Sequence, residues 1–174
     1  MAKVGRDLRD DEIIRFLRFS VTESAAATFT QQSYDTQLSI DRGYIWMIHW
    51  IEAQINPNKL EMPAANDIET VSLQIARESQ AAMHDLNNPD IIAYTEMQIK
   101  RSAAIGTDAG PLWVDWHSPI KTEYPIPLPY AAQEIHVGLV TSHASVQTIN
   151  GRIAYTLRRV SDKFFYRVAQ ALIS

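Results

Sequence analysis

The chain has 174 residues, 46% of them hydrophobic and 21% charged, with a formal net charge of −4. That length suits one domain, residues 1–174, able to bury roughly 70% of its unfolded surface. The absence of cysteine excludes thiol nucleophiles, disulfide scaffolds and cysteine-ligated zinc.

The opening "MAKVGRDLRDDEIIRFLRF" is too charged for a signal peptide, and no apolar run reaches the ~20 residues of a membrane helix. Within it, "DLRDDEIIRFLRF" predicts a short helix, so residues 1–19 form a helical arm. Acids precede arginines, as the helix dipole favours, and Ile13, Phe16 and Leu17 share a helical face.

From Phe19 onward the period changes to two, with turn signals at all-β spacing. "ATFTQQSYDTQLSI" (27–40) predicts a strand with weak alternation and a bulge near Ser33. Asp41-Arg42-Gly43 is a turn. "GYIWMIHWIEAQIN" (43–56) is the most apolar stretch. As a strand it sends Tyr44, Trp46, Ile48 and Trp50 to one face, and Ile45, Met47, His49 and Ile51 to the other. Both faces are apolar, which predicts a central strand covered on both sides.

"IETVSLQIARES" (68–79) points Val71, Leu73 and Ile75 inward. Further strands are predicted at "IIAYTEMQIK" (91–100) and "LWVDWH" (112–117). In "IKTEYPIPLPY", Pro125, Pro127 and Pro129 restrict the segment to an edge strand or an extended connection. "AQEIHVGLVTS" (132–142) places Ile135, Val137 and Leu139 inward. "SVQTINGRIAYTLRRV" (145–160) reads as one long strand with Ile153, Tyr155 and Leu157 inward, and with Asn150-Gly151 either a tight turn or a bulge within it.

Ser161 can cap a final helix over 161–174, where Phe164, Phe165, Val168 and Leu172 form an apolar stripe. That stripe needs a partner surface, either the chain's own sheet or a neighbouring copy. About eight strands, with no strand–helix alternation, predict an all-β antiparallel sandwich. The leading topology is an eight-stranded jelly roll with a short N-terminal helix and an amphipathic C-terminal helix.

Catalytic signatures are sparse. The histidines are His49, His84, His117, His136 and His143, with no His-x-His pair. On a strand, His49 and Glu52 point to opposite faces and cannot chelate together. His49 therefore reads as a core-lining histidine with a hydrogen-bond partner, and no metal or other cofactor is expected. Ser142 and His143 are neighbours in sequence only, and no G-x-S-x-G elbow occurs. Asp115 and Glu123 would form a glycosidase-like acid pair if they met across a hairpin, with Trp113 and Trp116 beside them.

Charge is more informative. Residues 152–174 hold Arg152, Arg158, Arg159, Lys163 and Arg167 against Asp162 alone, beside an acidic central segment. This is either an ordinary solvated helix face or one side of a molecule with two potentials. Lys163 and Arg167, four apart, share a helical face able to neutralise phosphates.

Three segments carry a family resemblance: "SAAATFTQQSYDTQLSIDRGYIWMIHWIEAQI", "PIPLPYAAQEIHVGLVTS" and "GRIAYTLRRVSDKFFYRVAQAL". Together they resemble a small single jelly-roll viral coat protein, in architecture and over about half the chain. The resemblance implies a structural, non-enzymatic protein, located in a virion and assembled in the host cytoplasm. Its partners would be copies of itself, other coat proteins, and genome nucleic acid at the basic end through Arg158, Arg159, Lys163 and Arg167. Self-assembly would use Phe164, Phe165, Val168 and Leu172. The chain departs from RNA-virus coats of this type in lacking a long Arg/Lys-rich arm. The alternative is a carbohydrate-binding sandwich or glycoside hydrolase using Trp113, Asp115 and Trp116.

Overall fold

Alternation of apolar and polar residues builds two stacked antiparallel sheets. The computed structural model describes residues 13–38, 40–55, 68–101, 112–115 and 120–171. Its strands are β1 (Arg15–Thr22), β2 (Thr30–Asp35), β3 (Tyr44–Ile55), β4 (Ile68–Ala76), β5 (Ile91–Arg101), β6 (Leu112–Asp115), β7 (Ile120–Tyr130), β8 (Glu134–Thr141) and β9 (Thr148–Arg159); helix α1 (Asp162–Ala171) follows. One sheet has the order β1-β9-β3-β7. The other runs β2-β8-β4-β5, extended at its edge by the short β6. Every connection crosses between sheets except β4–β5 and β5–β6.

The expected helix over residues 7–19 is corrected in part. Arg15–Thr22 is a strand, paired over eight residues with β9, while residues 1–12 lie outside the described residues. Leu17, Phe19 and Val21 turn inward, and Phe16, Arg18, Ser20 and Thr22 turn outward. This period-two pattern wins because β9 offers a full ladder, which a one-face helix could not match. The strand number among the described residues is therefore nine rather than eight.

The strand interiors face as their alternation predicts. Val71, Leu73, Ile75, Ile135, Val137, Leu139 and Ile153 all enter the core, with Tyr155 and Leu157 packed against it. Asn150-Gly151 neither turns nor bulges; β9 runs straight through it in register with β1 and β3. Gly151 is required there, because a Cβ would sit 2.2 Å from Phe19 Cζ and 2.5 Å from the Glu52 carbonyl oxygen. The bulge expected near Ser33 is absent, since β2 pairs evenly with β8.

The bulge lies instead at His49. Ile48 pairs with Tyr155 and Trp50 with Ala154, which leaves His49 as the extra residue. A bulge moves the following side chains to the other face. Trp46, Ile48, Ile51 and Ala53 therefore line the core, whereas Ile45, Met47 and Trp50 lie on the outer face. His49 is not a core histidine. It sits half-buried on the outer face, with Nε2 3.2 Å from Thr156 Oγ1.

β7 is an edge strand, as its prolines require. Glu123 pairs with Trp50 and Leu128 with Ile48, so Tyr124–Pro127 loop out opposite His49. Pro125 and Pro127, having no N–H, fall in that loop. The Tyr124 hydroxyl turns back and donates to the Ile92 carbonyl of β5 at 2.6 Å, fastening the two sheets on this side. On the opposite side Tyr34 of β2 does the same, donating to the Ser20 carbonyl at 2.8 Å and accepting from the Ser20 N–H at 2.9 Å.

Burial pushes the Tyr124 hydroxyl up to about 12 from its ordinary value of 10.0, and pushes Tyr130 well above that ordinary value. The unfolded chain loses these protons from about pH 10 upward while the folded chain keeps them, so stability falls as pH rises from 10 toward 12. Tyr124→Phe should show a smaller fall over that window than the parent protein, measured as the urea midpoint of tryptophan fluorescence.

Candidate functional site

The C-terminal end starts from a β-strand that has run out of partners. After Arg159, the Val160 N–H donates to the Gly43 carbonyl at 2.8 Å, which anchors the turn into α1. The Ser161 carbonyl accepts from the Phe164 and Phe165 N–H groups, both at 2.9 Å, and starts the helix. Asp162 in the first turn suits the helix dipole.

Phe165 and Val168, each 7% exposed, pack with Ile45 and Ala131 against the outer face of the four-stranded sheet, and Met47, Val160 and Ala169 complete the cluster. Two of the four residues expected to drive self-assembly are thus spent within the chain's own fold. Burying each contributes about 1.5–3 kcal/mol. Phe164 remains exposed at 44%, and Leu172 lies outside the described residues.

With that face docked, a helical turn of 100° per residue sends Lys163 and Arg167 straight to solvent. Phe164 and Tyr166, 44% and 57% exposed, flank them. Arg158 and Arg159 are exposed at the end of β9 just before the helix. None of these four cations forms an ion pair among the described residues. The four basic residues singled out from the sequence are thus all exposed, with Lys163 and Arg167 on one helix face and Arg158 and Arg159 on opposite faces of the strand end that precedes it. Tyr166 was not visible as a member, because its exposure depends on which helix face docks.

Beyond α1 the outer face of the same sheet stays open. Register aligns Arg18, Arg152, Glu52 and Lys121 in one row across β1, β9, β3 and β7. Arg152 donates to Glu52 Oε2 at 2.9 and 2.7 Å. Its guanidinium lies 5.0 Å from the Trp50 ring and 5.4 Å from Phe16, while Lys121 Nζ lies 5.2 Å from Trp50. Phe16 and Trp50 are 5.7 Å apart. Exposed Ile13 and Ile14 adjoin Phe16 at the start of β1.

The two outer faces differ in sign. The four-stranded sheet and α1 present Arg18, Lys121, Arg152, Arg158, Lys163 and Arg167 against Glu52, Glu123 and Asp162. The other sheet and the loop over it present Asp35, Glu78, Asp85, Asp90, Glu96 and Glu134 against Arg77 and Lys100. That loop, residues 77–90, is tied down by Gln74, which donates from Nε2 to the Ala82 carbonyl at 3.2 Å and accepts at Oε1 from the His84 N–H at 2.7 Å. Arg77 adds two bonds to Asp90 Oδ1 at 2.9 and 2.8 Å. On β5, hydrogen bonds from Gln98 and then Tyr94 hold the Glu96 carboxyl below its ordinary range.

At one end of the sandwich, Glu23 is 3% exposed and accepts from the Thr141 N–H at 2.8 Å and the Gln147 N–H at 3.0 Å. His143, fully buried, places Nδ1 2.5 Å from Glu69 Oε2. Glu23 thus closes loop ends, with its carboxylate engaged by its own chain. Ser33 Oγ lies 2.8 Å from His136 Nδ1 across the β2–β8 pair, a couple that no local motif announces. Glu134 Oε2 is 3.8 Å from His136 Nε2, too long to fix the ring as a catalytic acid would.

The acid pair of the glycosidase reading does not meet across a hairpin. Asp115 lies in β6, opposite Gln98 of β5, and Glu123 lies in the other sheet, opposite Trp50. Glu123 is exposed and ion-paired with Lys121. Trp113 stands opposite Lys100 in register, and Trp116 lies outside the described residues. Among the described residues no group of three His, Asp or Glu side chains is arranged to hold a metal, and no helix is long and apolar enough to cross a membrane.

No protein-family model matches the sequence, and no curated protein is significantly similar to it.

The docked helix separates two neighbouring phenylalanines. Phe165→Ala should lower the unfolding free energy by about 3 kcal/mol, whereas Phe164→Ala should change it by less than ~0.5 kcal/mol, both measured by urea denaturation.

Proposed function

We propose that this protein is a structural, self-assembling jelly-roll subunit of the kind that builds a viral or virus-like coat. The observation that carries the reading is strand order. With β6 set aside as an addition, β1-β9-β3-β7 against β2-β8-β4-β5 is the interleaving expected of two Greek keys wound into a jelly roll.

Surface chemistry supports the same reading. The β7 edge, carrying prolines and a four-residue loop, is poorly suited to pairing with another strand. The β1 edge bears Ile13, Ile14 and Phe16 in exposed positions, with Trp50 beside them. Apolar surface there is available to copies of the chain or to other coat proteins, and closed symmetry multiplies such contacts into a shell. Faces of opposite sign favour one orientation of each copy, acidic face outward and basic end toward nucleic acid. The particle would be assembled in the host cytoplasm.

Light scattering and electron microscopy test this. Assembled particles are expected from the purified protein, and Phe16→Glu should leave a folded monomer by circular dichroism. Arg158→Gln, Arg159→Gln and Lys163→Gln together should lower the co-purified nucleic acid, read from the ratio of absorbance at 260 and 280 nm. A parent protein that stays monomeric at high concentration and carries no nucleic acid would overturn the proposal.

A second reading, a carbohydrate-binding sandwich, draws on a different place from Trp113 and Asp115. A groove of about 310 Å³ on the open outer face is lined by Arg18, Glu52, Gln54, Asn150 and Arg152, planar polar groups of the kind that bind sugar hydroxyls. Phe16 and Trp50 lie beside Arg152. Under this reading the monomer binds a glycan array, and Trp50→Ala removes the signal.

A further inference from the structure

We infer that the C-terminal end binds single-stranded nucleic acid in preference to duplex, with Phe164 and Tyr166 stacking on unpaired bases while Arg158, Arg159, Lys163 and Arg167 hold the phosphates. The inference rests on the proposed nucleic-acid-facing role of this end and adds the kind of strand it takes.

The docking of α1 determines what the helix leaves exposed. Docking through Phe165 and Val168 consumes the apolar face that the sheet needs. Phe164 and Tyr166 take no part in the buried cluster, yet both aromatic rings remain substantially in water. They lie to either side of Lys163 and Arg167, whose positions are separated by about 6 Å along the helix axis. Four cations without ion partners among the described residues make the end complementary to a polyanion.

Charge alone does not distinguish polyanions; the rings do. In a duplex the base faces are stacked on one another, and the surface offers phosphates and groove edges. An unpaired strand offers base faces, on which exposed aromatic side chains stack irrespective of base identity. A sulfated glycan offers charge and no π-face. Aromatic rings flanking a cationic ridge are therefore best matched by a flexible strand with bases free to turn toward the protein. The contrast with the Phe16–Trp50 patch supports the choice of place. There Arg152 is engaged by Glu52, and Lys121 by Glu123, so the cations beside those rings are already partly neutralised.

Fluorescence anisotropy with the whole protein tests the inference. The probe is a labelled mixed-sequence oligonucleotide of about twelve nucleotides, single-stranded or annealed to its complement, with heparin as a third ligand. The single strand should bind at least tenfold more tightly than the duplex. Its affinity should fall with salt on a log–log slope of about −2 to −3, as expected for four phosphate contacts at most. Phe164→Ala with Tyr166→Ala should weaken single-strand binding about tenfold and leave duplex and heparin binding within about twofold. Phe164→Trp with Tyr166→Trp should restore it. Thermal melting of each variant excludes misfolding, since both side chains are exposed.

Equal binding of single strand, duplex and heparin, insensitive to the two rings but lost in the four-fold Arg/Lys→Gln variant, overturns the stacking inference and leaves the nucleic-acid-facing end intact. Failure of every ligand to bind overturns both.

Discussion

Burial of β3 on both faces is the constraint on which the rest of the molecule depends. Trp46 and Ile48 enter the core between the sheets, and Ile45 is sealed from outside by Phe165 and Val168. A strand apolar on both sides must find two covers or expose apolar surface to water. The sheet opposite supplies one cover and α1 the other. The second cover fixes the rotation of α1 about its axis, and hence which side chains the helix offers to solvent. The cationic ridge is thus a by-product of hydrophobic docking on its far side.

The His49 bulge ends the doubly covered stretch. Past it, Trp50 points outward and meets cations instead of the helix. The same level of the sheet loosens on its other flank, where β7 loops out. One inserted residue therefore divides the outer face in two: a dry half under α1, and an open half where Phe16, Trp50 and Arg152 pack together. Two tyrosines, Tyr34 and Tyr124, then clasp the sheets along opposite sides, using hydrogen bonds to backbone carbonyls.

Much of this is legible in the sequence where alternation is clean. β4 and β8 carry uninterrupted period-two patterns, as does β9 beyond Gly151, and the inward residues of these stretches can be named from the sequence. β1 cannot be assigned this way, because Ile13, Phe16 and Leu17 fit a helical face and the acid-to-arginine order imitates a dipole pattern. What decides is the distant ladder with β9. The His49 bulge is hidden within an unbroken apolar run, where either face tolerates any member. At the candidate site the basic residues are plain from composition. Their lack of ion partners among the described residues, and the exposure of Phe164 and Tyr166, depend on Ile45 and Ala131, far away in the chain. The Ser33–His136 couple is invisible for the same reason: register brings its members together, and no local spacing does.

The loop in β7 carries a separate consequence. Between Glu123 and Leu128 the backbone leaves β3 and returns, with Ile126 84% exposed at its crest. The strands on either side are held independently, by Trp50–Ala53 below and Trp46–Ile48 above. Added chain length at this crest would extend into solvent without shifting either ladder. The position therefore suits a grafted peptide, held at a fixed height above the sheet by the two ladders that flank it.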